Sequence, residues 1–175
     1  MGQREQTLRI LAELRQRFDE VMRVADGAKR VFATAAREGR LDDDVWKRAL
    51  GSYLHDFYTA VESVLRVVTE LTGEGLPRGE EWHRQLLDQM GREIEGVRPA
   101  LLSSDSRGKL GEYLGFRHVF RSAYGHQLDS ERLVRLLRGL PDVTTSLEQD
   151  FQRFEAFVRS LAVPPESGGG RSPGT

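Results

Sequence analysis

Arginine, histidine, serine and tyrosine crowd together in residues 115–129, GFRHVFRSAYGHQLD. Arg117 and Arg121 could both face one phosphate, because guanidinium is planar, bidentate and always charged. His118 and His126 lie beside them, and imidazole exchanges a proton near neutral pH. Arginine with histidine and no metal is a kit for cleaving RNA through its own 2′-hydroxyl. The histidine moves protons while the arginines stabilise the charged phosphorane. The bland alternative is a solvated or salt-bridged helix face, with Tyr124 a half-buried core residue.

Other chemistries find little support. Ser122 as a nucleophile would need a strained elbow and an oxyanion hole, and a mid-helix serine supplies neither. There are no cysteines, which removes thiolate catalysis, disulfides and Cys-ligated zinc. No His-x-x-x-His pair falls on a helix, and no Gly-rich phosphate loop is present, so neither a metal nor a cofactor is expected. The 175 residues carry a net charge of −1, so nucleic-acid binding must come from a local patch. One exists: Arg107, Lys109, Arg117, Arg121, Arg132, Arg135 and Arg138 oppose Asp105, Glu112, Asp129 and Glu131, a local +3.

The elements that must position these residues read as helices throughout. Leu11, Leu14, Phe18, Val21, Ala25, Ala28, Phe32 and Ala35 form a seam of period near 3.5, carried through Gly27 and ended at Gly39. LDDDVW starts a second helix with acidic residues at its N-terminus. Its seam is Trp46, Leu50, Tyr53, Phe57, Val61, Val64, Val68 and Leu71. A third helix is expected over 79–95, and Pro99 disfavours helix at Arg98. A fourth is expected over 106–124. YGHQLD reads as a turn. The last helix is capped by Asp129 or Ser130 and runs to about 162, interrupted or kinked at Pro141. Residues 163–175 are Pro/Gly/Ser-rich and expected to be disordered. The expectation is one all-α domain over 1–162, an antiparallel helical bundle. With no signal peptide or apolar span in the sequence, a cytoplasmic location is expected.

Two further groups bear on the site. His55, Tyr58, Glu62 and Arg66 form a polar stripe on the second helix, placed either to support Arg117 or to be solvated. Trp82 is assigned to the core. His83 could reach the same cleft but is assigned no direct chemistry.

FRHVFRSAY resembles the signature of HEPN-domain proteins of the HepT-like ribonuclease-toxin type: Arg, a polar residue, three more residues, His, any residue, Tyr. Arg117, His118 and Tyr124 match it, while Ser122 stands where the motif has histidine. HDFYTAVESVL and GLPRGEEWHRQLLDQM also resemble this family's second helix and following segment, so the likeness spans nearly everything up to about residue 162. It implies a helical bundle that dimerises, bringing two motifs together, and a metal-independent endoribonuclease in a toxin–antitoxin pair. It also implies a minimal nucleotidyltransferase antitoxin that attaches AMP to the motif tyrosine, here Tyr124. Serine is no general base near neutral pH, so three readings compete. His118 takes the proton-transfer role, or His126 takes it, or the chain is weakened or inactive and keeps only the fold and the partner. Arg121 is assigned to RNA contact.

Overall fold

A computed structural model describes residues 2–122 and 128–162 as an all-α bundle of five helices. They are α1 (Gln3–Arg37), α2 (Asp44–Leu71), α3 (Trp82–Met90), α4 (Ser104–Ser122) and α5 (Ser130–Ser160). Among the described residues no helix is long and apolar enough to cross a membrane. Residues 124–127 of the predicted turn over 124–129 and the tail at 163–175 lie outside the described residues.

Helix α2 is the centre of the bundle, since it packs against all four others and most extensively against α1. That position explains its burial. The predicted seam is in the core, with Leu50, Phe57, Val61, Val64 and Val68 buried. So are Leu54, Tyr58 and Leu65 on the adjoining face, because helices cover α2 on more than one side. The α1 seam is buried from Leu11 to Ala28 and meets α5 as well, where the Phe18 and Phe151 rings stack at 4.2 Å.

Local chemistry sets the helix ends. Asp43 Oδ1 accepts from the Val45 and Trp46 amides and caps α2. Gly39, at φ 66°, closes α1 in the left-handed region, and the Arg40 amide returns to the Ala35 carbonyl at 2.9 Å. Asp129 caps α5 through the amides of Glu131 and Arg132.

Two expectations need correction. Helix α5 is uninterrupted through Pro141. Proline removes one backbone donor, and buried Leu137, Leu140, Val143 and Leu147 on both sides hold the helix against the core. Helix α3 is also shorter than 79–95. It stops at Met90, whose carbonyl accepts from the Leu101 and Leu102 amides, and Arg98 then organises the loop. The Arg98 side chain is fully buried. It donates to Glu74 and to the carbonyls of Gln89, Arg92 and Pro99. Its guanidinium thus satisfies a loop backbone that would otherwise be unpaired.

Candidate active site

Helices α2, α3 and α4 meet at Arg117. Only 8% of this residue is exposed, because it extends the buried row Leu110, Tyr113, Leu114 of α4. A buried charge needs partners. Helix α2 supplies Glu62, whose Oε2 lies 3.6 Å from Arg117 Nη1. It also supplies Tyr58, one turn earlier, with the guanidinium 5.9 Å from its ring centroid. Helix α3 supplies His83 in its first turn, and His83 Nδ1 bonds Glu62 Oε2.

Arg117 Nη1 lies 3.1 Å from Nδ1 and 3.0 Å from Nε2 of His83. A nitrogen equidistant from both ring nitrogens and in the ring plane would collide with Cε1 between them. Nη1 therefore sits over the ring face, in the manner of a cation on a π-system. The opposite face is covered by Trp82, with ring centroids 3.7 Å apart, and Arg66 caps Trp82 at 5.2 Å. The result is a column: Arg66, Trp82, His83, Arg117, Tyr58.

Among the described residues, two buried polar atoms in this column have no hydrogen-bond partner, Arg117 Nε and Tyr58 Oη. Such atoms are costly to leave unpaired, and a native structure keeps few of them. Burial, then the Glu62 charge, push the Tyr58 hydroxyl well above its ordinary value, outweighing Arg117 and Arg84, so it is a neutral donor. Burial likewise lowers His83. The bond and charge of Glu62 raise it, and Arg117 and His118 lower it further.

The motif residues divide. Arg117 is at the centre. His118 is exposed, with its ring 5.9 Å from that of His83 and nearly perpendicular to it, at 76°. Ser122 is exposed, and its hydroxyl donates back to the His118 and Val119 carbonyls at 3.1 Å each. Arg121 is exposed on the next turn. Tyr124 and His126 lie outside the described residues.

Within the basic patch, Arg107 pairs with Asp88 and Lys109 with Asp105. Of the α2 stripe, Tyr58 and Glu62 join the site, while His55 turns to Asp56 and Phe120.

His83 and Glu62 carry more of the geometry than their sequence context suggests. A signal was present for His83, which shares its helix face with Leu86, Leu87 and Met90, all buried. A histidine on an apolar face needs an internal partner.

A family model described as HepT-like protein matches residues 49–158, more than half of the chain. The chain belongs to that family. No curated protein and no solved structure matches significantly. The HepT-like span takes in most of α2, all of α3 and α4, and nearly all of α5. Tyr58, Glu62, His83 and Arg117 therefore all belong to the HepT-like portion.

Proposed function

We propose that this HepT-like chain is the toxin of a toxin–antitoxin pair, a metal-independent endoribonuclease centred on Arg117. The observation that carries this reading is the Arg117 guanidinium itself, buried beside a histidine with Nε unpaired. A fixed, desolvated guanidinium stabilises developing negative charge better than a solvated one. Arg117 stabilises the phosphorane, a histidine moves protons, and Arg121 contacts the RNA. The reading includes a homodimer, in which two such sites face one another, and a cytoplasmic setting. The partner is a minimal nucleotidyltransferase antitoxin, with Tyr124 as acceptor of AMP.

A second reading is an inactive HEPN module that only binds the nucleotidyltransferase or nucleic acid. The Ser122 hydroxyl favours it, being engaged with its own helix and carrying no basic nitrogen.

RNA incubated with the purified protein in EDTA separates the two. An active toxin cleaves, and Arg117→Lys, which keeps the charge and loses the planar fork, reduces the rate about 10²-fold or more. A disarmed module leaves RNA intact and gains cleavage on Ser122→His. RNA that neither protein cuts contradicts the ribonuclease reading altogether.

A further inference from the structure

We propose that His83, oriented by Glu62, is the general base of the Arg117 site, and that His118 is its general acid. The inference rests on the ribonuclease reading above and assigns the role that Ser122 cannot fill.

Geometry fixes the tautomer. The carboxylate of Glu62 can only accept, so the ring hydrogen of His83 lies on Nδ1 and the lone pair on Nε2. Trp82 covers one face of the ring and Arg117 the other. Nε2 is then the ring's remaining acceptor, with Arg117 Nη1 3.0 Å from it. A third group that orients the base is the arrangement nucleophile-activating histidines require. His118 is exposed, with its ring centroid 5.9 Å from that of His83, and provides a second imidazole beside the first.

The two histidines differ in exposure, His83 being buried and His118 exposed. The groups facing His83 are Glu62 from α2, and Arg117 and His118 from α4; Tyr58 and Arg66 lie one step further along the column. Their sum with burial keeps His83 below the ordinary histidine value of 6.5 and hence neutral at pH 7, ready to accept a proton.

The step is a transesterification within RNA. His83 Nε2 takes the proton of the 2′-hydroxyl, and the 2′-oxygen forms a bond to phosphorus. The bond from phosphorus to the 5′-oxygen breaks, and that oxygen takes the proton of the His118 imidazolium. Arg117 stabilises the phosphorane oxygens. The products are a 2′,3′-cyclic phosphate and a 5′-hydroxyl, and exchange with water restores both histidines.

The test is RNA cleavage in EDTA as a function of pH by wild type, His83→Gln and Glu62→Gln. Wild type should cut, with the acid limb of kcat/KM below 6.5, and His83→Gln should lose about 10²–10⁴-fold. Glu62→Gln keeps an acceptor for Nδ1 but removes the charge that raises His83, so its acid limb should move to lower pH. A merely structural Glu62 would lower the rate and leave the limb in place. Equal cleavage by wild type and His83→Gln overturns this proposal and leaves the ribonuclease reading standing. Cleavage that appears only on Ser122→His also overturns it, because His83 is then no working base. Failure of both wild type and Ser122→His to cut overturns both readings. If His83→Gln does not fold, as judged by circular dichroism, the Glu62→Gln profile decides, and an unmoved limb overturns the proposal.

Discussion

Arg117, Tyr58, Glu62 and His83 place a guanidinium, a phenol, a carboxylate and an imidazole in one buried column, and not every polar atom there is satisfied. The hydroxyl of Tyr58 is buried and unpaired. An unmade buried hydrogen bond costs about 1–3 kcal/mol. Tyr58→Phe should therefore raise unfolding stability by about 1 kcal/mol in urea titration. A loss of stability would mean that the hydroxyl has a partner in solution. Arg117 was legible in the sequence because its motif neighbours, His118 and Tyr124, flank it. Glu62 and His83 were legible only as residues that could reach the Arg117 cleft, because they approach it from two other helices, 55 and 34 positions away, and no local spacing records their contacts.

At the scale of elements, helix contacts and loop anchors divide in the same way. Seams in α1 and α2 are long and periodic, and they fold as their spacing predicts. Helix α3 and the loop after it depend instead on Arg98, whose burial no periodicity announces. Pro141 misleads because its local penalty is outweighed by the core residues on either side of it. Two predictions belong here. A Cβ at Gly51 of α2 would lie 2.7 Å from the Phe120 ring of α4. Gly51→Ala gains about 1 kcal/mol of helix propensity but overpacks a core contact at about 1–3 kcal/mol. Net destabilisation should follow in thermal unfolding; a more stable variant would show that Phe120 yields freely.

Glu74 concerns the loop. Partial burial would raise its carboxyl, but the bonds from Arg98, Thr72 and Gln89 outweigh that and hold it at about 2 against an ordinary 4.5. Its pKa is depressed by folding, so its contribution is complete above 4.5 and is lost as pH falls from there through about 2. The urea midpoint of wild type should fall more steeply over that window than that of Glu74→Gln. Parallel curves would contradict the Arg98 anchor.

For the whole molecule, three helices meet at Arg117, with α2 as the shared wall and α1 and α5 packed on its other sides. The all-α class and the family were both readable from the sequence, since amphipathic periods and a local motif are one-dimensional features. The contacts among Glu62, His83 and Arg117 were not, because they depend on how α2, α3 and α4 converge. The proposed homodimer would place two such sites together, and sedimentation at micromolar concentration should then give twice the 19.8 kDa chain mass; a clean monomer would count against a shared site.

The most direct measurement is the chemistry of the cut ends. RNA treated with the purified protein in EDTA should yield fragments ending in 2′,3′-cyclic phosphate and beginning with 5′-hydroxyl, and folded Arg117→Lys should yield about 10²-fold fewer. Fragments carrying 5′-phosphate, or an undiminished yield from Arg117→Lys, would contradict a ribonuclease built on Arg117.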